Sequence, residues 1–400
     1  MYNNTIRTER GKTMQNILDK VKRNGYSFEG KVPENHMLPD GKYRLGGGGS
    51  WTDGFYVGVF NMCYALSGDK EFLELAARYD EMLDRRIENT DEINEKYNYL
   101  KLDHDVGMIF LPANGFRYRL DGNEKDKETL IKAAAVLVDR FNDKGGFIRA
   151  WDTWKWDKDE QFIEEKKGKV IIDSMMNIPL LFQVAEITGD KSYYEIAERH
   201  ANTVADNIVR SDYSTYHSFN FNHKTGEPVC GRTVQGYSDE SCWSRGQSWA
   251  VYGFALAYKY TKNERFIEVA KNTAEYFMSH LSPVDMPTWD FAAASQAFAP
   301  WDSAASAICA SGLLEIYALT GEEKYKSYAE RLLKALEKFA STEGYDNCQP
   351  LFLHGVVGSA YREDDPSKIL NRSIGQALVY TDYFYLECKL KLRGETTNVF

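Results

Sequence analysis

Two short stretches carry residues able to move protons. Asp103-His-Asp105 sets two carboxyls around an imidazole, and Asp173-Ser174 adds a third carboxyl beside a hydroxyl. Carboxyls held in different protonation states perform general acid–base work. Trp51-Thr-Asp53, Trp243-Ser-Arg-Gly-Gln247 and Trp301-Asp-Ser303 repeat the theme with an indole nearby, and Trp151, Trp154 and Trp156 crowd one further loop. Indole faces stack on the C–H faces of sugar rings, while carboxylates, amides and guanidinium groups take the hydroxyls and charges. The competing reading for each Asp or Ser is helix capping, and for the three Trp it is packing of a loop over the core. Five polar clusters at equivalent places, three of them with Trp, favour a carbohydrate site.

The elements that position these clusters follow from a weak internal repeat. Five polar turns recur, Leu66-Ser-Gly-Asp-Lys70, Leu120-Asp-Gly-Asn-Glu124, Ile187-Thr-Gly-Asp-Lys191, Tyr260-Thr-Lys-Asn-Glu264 and Leu319-Thr-Gly-Glu-Glu323, with a looser sixth at Leu392-Arg-Gly-Glu395. Gly just past a helix suits the left-handed C′ position, and the polar residues after it open the next helix. Segments after the turns, such as Tyr193–His200 and Phe266–Thr273, space apolar residues by three and four with charges between, as half-exposed helices do. Segments before the turns, such as Trp249–Leu256 and Ala304–Leu314, carry almost no charge and read as buried helices. Six inner–outer pairs predict an all-α (α/α)6 barrel, with an open α-solenoid as the alternative. The barrel is one domain spanning 1–400, with residues 1–45 as an N-terminal extension packing on it. The acid–base clusters all fall at the N-termini of the inner helices, hence at one mouth of the barrel.

Composition narrows the function classes. The 49 Lys and Arg against 59 Asp and Glu leave a net charge of −10, with no basic block of the kind nucleic-acid binding requires. No apolar run is long enough to read as a membrane span, and the opening Met-Tyr-Asn-Asn-Thr lacks a leader's apolar stretch. The six Cys are scattered without a C-x-x-C pair, so buried thiols in the cytoplasm are expected instead of disulfides or a zinc site. His104 has no metal-ligand partner at helical spacing and is expected to be a hydrogen-bonded site residue. Gly46-Gly-Gly-Gly-Ser50 has no Lys-Ser/Thr after it and reads as a flexible loop leading into the first inner helix, not a phosphate cradle.

Asp103-His-Asp-Val-Gly107, Ile171-Ile-Asp-Ser-Met-Met-Asn177, the run Gln235–Trp249 and Asp382-Tyr-Phe-Tyr-Leu-Glu387 together resemble the unsaturated glucuronyl hydrolases, glycoside hydrolase family 88. The resemblance runs in order from about Trp51 to about Leu392 and implies the same barrel. It also implies a substrate: oligosaccharides bearing the 4,5-unsaturated uronic acid that polysaccharide lyases leave at the non-reducing end. By this resemblance Asp173 is the general acid/base and Asp105 the second essential carboxylate. Trp151, His217, Gln235, Trp243, Arg245 and Trp249 then line the substrate site, with Arg245 expected to face the uronate carboxylate. Met108 departs from the pattern where an aromatic often stands. The Ser-x-x-Ser-x-Lys pattern tied to sulfated substrates is also missing, since Lys368 has Glu363 five residues before it. Protonating C4 of the vinyl ether makes C5 oxocarbenium-like, water adds there, and the hemiketal opens to expel the aglycone, with neither metal nor cofactor required. Three alternatives remain at this point: an inverting two-carboxylate glycosidase acting on saturated sugars, a two-histidine sugar epimerase, and a non-catalytic carbohydrate-binding protein.

Overall fold

The computed structural model describes residues 2–153, 157–295, 298–365, 369–395 and 399–400, so Trp154, Trp156 and Lys368 lie outside the described residues. A first helix, α1 (Tyr2–Ser27), precedes five hairpins. These are α2 (Asp53–Ser67) with α3 (Glu71–Ala77), α4 (Val106–Phe110) with α5 (Glu124–Asp139), and α6 (Pro179–Thr188) with α7 (Lys191–Asn207). Then come α8 (Ser244–Thr261) with α9 (Glu264–Ser279), α10 (Ser303–Thr320) with α11 (Glu323–Phe339), and a last inner helix, α12 (Val379–Lys391). Even-numbered helices form the inner ring. The ring closes because α12 packs on both α10 and α2, which an open solenoid would not allow.

Local sequence explains each hairpin. Gly68, Gly122, Gly189 and Gly321 end inner segments with φ of 72°, 70°, 75° and 73°, the left-handed cap expected of the turns. In the fourth turn Lys262 takes that place at φ 57°, a conformation in which a Cβ is costly. Asn123, Asp190 and Asn263 then cap α5, α7 and α9 by accepting backbone N–H groups of the first turn. Helix α7 buries Ala197, His200, Ala201, Val204 and Ala205, a single stripe at three- and four-residue spacing. Helix α10 is instead buried continuously from Ser303 to Ile316. Its 18 residues are long and apolar enough to cross a bilayer, yet 78% of that stretch is walled in by neighbouring helices.

The N-terminal segment has a more specific place than an extension lying on the barrel. Among the described residues no outer helix follows α12, and α1 stands in that position. Its Lys22 pairs with Asp69 at 2.5 Å and Glu71 at 2.6 Å beside α3. On the other side Lys20 reaches the Thr342 hydroxyl at 2.9 Å and Asn24 the Gln349 carbonyl at 2.8 Å, both in the segment after α11. The chain beyond α1 forms a hairpin of β1 (Val32–Met37) and β2 (Tyr43–Gly46). The glycine run after β2 is no loose loop: the Gly49 and Ser50 amides donate to Asp53 Oδ2 at 2.6 and 3.0 Å. A three-stranded sheet, ordered β3 (Lys169–Ile171), β4 (Ser218–Phe221) and β5 (Pro228–Arg232), lies beside the mouth of the barrel. All six Cys are free thiols, four of them buried.

Candidate active site

Many carboxyls are buried at the mouth of the barrel, and their partners separate the structural ones from the rest. Asp53 accepts two backbone amides. Asp290 accepts from the Tyr237 amide, the Ser241 hydroxyl and the Ala292 amide. Asp302 caps α10 through the Ala304 amide and pairs with Arg245. Asp382 accepts from the Tyr43 hydroxyl and the Leu351 and Phe352 amides. Asp103 accepts the Asp105 amide at 3.0 Å. Two carboxyls do no such work. Asp105 stands at the N-cap of α4 without capping it, and Asp173 Oδ2 is buried with no hydrogen-bond partner among the described residues. Capping therefore fails as an account of these two, and an unsatisfied buried carboxyl is costly unless it has another use.

Asp173 does not open an inner helix directly. Strand β3 leads into a 3₁₀ turn, Ile172–Met176, and α6 begins only at Pro179. The turn is held from two sides. The Ile172 amide donates to the His217 carbonyl at 3.0 Å, continuing the pairing of Ile171 with Ser218 and setting His217 beside Asp173. Below it, His200 Nδ1 accepts the Ile148 amide at 2.9 Å, so its proton lies on Nε2, 2.7 Å from the Ser174 hydroxyl, which donates onward to the Ile171 carbonyl.

Asn177 joins the two carboxyl-bearing segments. Its Nδ2 lies 3.4 Å from Asp105 Oδ1 and 3.3 Å from the Asp173 carbonyl, and its Oδ1 accepts the Met108 amide at 2.9 Å. The approach demands glycine at 107, where a Cβ would come within 2.6 Å of the Asn177 Cα. Both carboxyls are nearly sealed, Asp173 at 8% exposure and the Asp105 side chain at 14%. Burial, and then the charge of Asp105, push Asp173 up to about 7. Burial likewise pushes Asp105 up to about 7, against the pull of Asn177 and the cations Arg140 and Arg86.

The histidines here are neutral. Burial and the nearby cation Arg245 hold His217 down to about 3. Its Nδ1 accepts the Val234 and Gln235 amides at 2.9 and 3.2 Å, leaving the proton on Nε2, where no acceptor lies among the described residues. His104, held down to about 4 by burial, departs from expectation: neither ring nitrogen is hydrogen-bonded, and its nearest carboxylate is Asp105 at 3.5 Å. Asp103, His104 and Asp105 bring ligand-type atoms within 4.8 Å of one another. They are successive residues of one turn, internally bonded through Asp103.

The other expected residues fall into two groups. Gln235 and Trp151 are half-buried, and the Trp151 ring lies 6.5 Å from that of His217. Trp243 and Trp249 are sealed at 1% and 0% exposure and are walls, not open stacking faces. Arg245 requires a correction. It does not await a carboxylate. Its side chain is 2% exposed and pairs with Asp302, while donating to the Val356 carbonyl at 2.7 Å, the Val357 carbonyl at 3.3 Å and Gln235 Oε1 at 2.9 Å. It also lies 4.6 Å over the Trp243 ring. A guanidinium so neutralised organises the wall and turns the Gln235 amide so that its NH₂ is left without a protein acceptor among the described residues. Asn177 and His200 were assigned no role from sequence, and Asp302, read within the Trp301-Asp-Ser303 cluster, takes the capping role that was its alternative. Asn177 lay within a quoted motif, whereas His200 sits on an outer helix and carried no signal.

Two buried carboxyls without structural duty, neutral donors and indole walls at the mouth of an (α/α)6 barrel suit a glycosidase, and the comparisons agree. The model of Glycosyl Hydrolase Family 88 matches residues 27–283. The unsaturated chondroitin disaccharide hydrolase of Streptococcus pneumoniae (strain ATCC BAA-255 / R6) is 30% identical over 389 residues, 96% of this chain and 91% of that one. The unsaturated glucuronyl hydrolase of Bacillus sp. (strain GL1) is 33% identical over 388 residues, 94% of each chain. The crystal structure of unsaturated glucuronyl hydrolase from Bacillus sp. GL1 matches with a TM-score of 0.82 at 31% identity, covering 94% of this chain and 95% of that one. With most of its length matched in sequence and its barrel matched in structure, the chain belongs to glycosyl hydrolase family 88.

Proposed function

We propose that this enzyme releases 4,5-unsaturated uronic acid from the non-reducing end of lyase-generated oligosaccharides by protonating and hydrating the C4=C5 bond. The observation that carries the proposal is Asp173, a buried carboxyl with one oxygen unpartnered and its pKa pushed up to about 7. It holds a proton near neutrality and delivers it to C4, and the resulting carboxylate then takes a proton from the water that adds at C5. Asp105, ionised, keeps that proton on Asp173 and faces the cationic character that develops at C5. The hemiketal opens and expels the aglycone, so no bond at the anomeric carbon is displaced by water. His217 Nε2–H and the Gln235 NH₂ supply neutral donors to the uronate, and the half-buried Trp151 supplies a ring face. The chemistry calls for no metal or cofactor. The free thiols agree with a cytoplasmic setting.

The enzyme prefers an unsulfated aglycone. Beside the site, where the Glu363 amide donates to the Tyr237 carbonyl at 3.0 Å, a cleft of about 310 Å³ is lined, among the described residues, by Asp239, Glu240, Glu363 and Asp364 against the guanidinium of Arg362, with Arg232 already paired to Asp239 at 3.3 Å. A sulfate there meets mostly like charge.

The test follows the absorbance of the C4=C5 bond with unsaturated chondroitin disaccharides, sulfated and unsulfated, and with 4-nitrophenyl β-glucuronide as the saturated control. The chromophore should vanish on turnover, with ¹⁸O from water at C5, and kcat/KM should be higher for the unsulfated disaccharide. Comparable hydrolysis of the saturated glucuronide, or ¹⁸O at C1, rejects the hydration reading. A higher kcat/KM for the sulfated disaccharide rejects the reading of the rim alone.

A further inference from the structure

Two neighbouring carboxyls buried to a similar degree pose a problem that their burial does not solve: something must decide which of them holds the shared proton. We infer that Asn177 is a positioning residue that assigns the proton to Asp173, by donating its amide N–H to Asp105 while fixing the segment that carries Asp173. The inference rests on the acid–base reading of the two carboxyls given above.

The geometry is asymmetric in the required sense. The Asn177 amide cannot rotate freely, because its Oδ1 is occupied by the Met108 amide at 2.9 Å. Its Nδ2 is thereby committed to the acceptor side, 3.4 Å from Asp105 Oδ1 and 3.3 Å from the carbonyl, not the carboxyl, of Asp173. The Asn177 amide donates to the carboxyl of Asp105 and not to that of Asp173, whose Oδ2 is unpartnered among the described residues and on which the pull of the Trp249 indole ranks behind burial and the charges of Asp105 and Arg245. A donor to a carboxylate favours its charged form. Asp105 therefore ionises first, and its charge holds the proton on Asp173. Among the groups that pull Asp105 toward its charged form Asn177 comes first, and the cations Arg140 and Arg86 act in the same direction behind it. Asp103, His104, Arg86 and Arg140 surround Asp105, while Arg245 and Tyr380 act with Asp173, and Arg245 is itself neutralised by Asp302.

Asn177→Asp separates the two duties of the side chain. An aspartate keeps an oxygen for the Met108 amide but replaces the donor facing Asp105 with another acceptor. Its pH–rate profile on an unsaturated disaccharide should peak about half to one pH unit higher than wild type, with kcat at pH 6.5 reduced by about tenfold and KM changed by less than about twofold. Asn177→Ala should shift the optimum in the same direction by less. Thermal unfolding of both variants establishes that the barrel is intact. A fall in kcat with the optimum unmoved, or an effect confined to KM, overturns the assignment while leaving the acid–base reading in place. Absence of wild-type turnover on any unsaturated disaccharide would instead remove the reading on which it rests.

Discussion

The two ends of the inner ring bury charge in opposite ways. At the closed end Glu315 meets Lys391 at 2.8 Å and Lys259 at 3.5 Å, and Lys391 lies 3.8 Å from Glu387. Glu387 also accepts from the hydroxyls of Tyr252 and Ser311. Burial alone would push Glu315 up, yet Lys391 and Lys259 outweigh it and pull the carboxyl down to about 2. At the open end Asp105 and Asp173 are buried without a paired cation, and burial pushes both up to about 7. The same functional group, a carboxyl, is locked as an anion at one end of the barrel and poised to exchange a proton at the other. What marks the reactive end is that, among the described residues, neither carboxyl is paired with a lysine or arginine and Asp173 Oδ2 has no hydrogen-bond partner.

Removing the proton carrier should show the largest effect. Asp173→Asn is expected to lower kcat by about 10²–10⁴-fold, measured on an unsaturated disaccharide. Retention of more than about a hundredth of wild-type kcat would reject Asp173 as the donor. The same variant tests the burial argument. A carboxyl whose folded pKa is raised contributes most stability below its unfolded value near 4, and loses it as pH rises through about 7. Asn imitates the neutral form, so Asp173→Asn should melt above wild type at pH 8 and the gap should close by pH 4.

At the closed end the prediction reverses. Lys391→Met leaves Glu315 and Glu387 buried without their main cation and should cost about 3–5 kcal/mol in denaturant unfolding. The kcat of the folded protein should be preserved, and a large loss of kcat at full folding would dissolve the contrast between the ends. Arg245→Lys tests the corrected role of that residue. Loss of the forked contacts to Asp302, Gln235 and two carbonyls should cost about 1.5–3 kcal/mol of stability. A rise in KM with unchanged melting would return Arg245 to direct uronate binding. The smallest effect belongs to a hairpin turn after α8, away from the carboxyls of the mouth. Lys262→Gly relieves the left-handed turn before α9 and should stabilise by about 1 kcal/mol with no change in kcat.

Much of the architecture was legible because its signals are local. A glycine cap, a polar turn and a helical stripe each lie within a few residues, so the hairpins could be read from Leu66–Lys70 or Ile187–Lys191 alone. Asp105 and Asp173 were legible as candidates because their types and motifs stand together in short stretches. What their neighbours do was not. Arg245 looked like a free cation because Asp302 lies 57 positions away and the Val356 carbonyl 111.

By itself, then, the amino-acid order determined the hairpins, the buried character of the inner helices and the family to which the motifs point, since each depends on contacts within a turn or two. Only closure of the ring decided the rest. It placed α1 as the missing outer helix, brought Asn177 between Asp105 and Asp173, and put the neutral His200 beneath Ser174. It also decided which buried carboxyls found partners. Those outcomes depend on which residues from distant segments meet in a space without water, where an absent hydrogen bond matters as much as one that is made, and no local pattern encodes that.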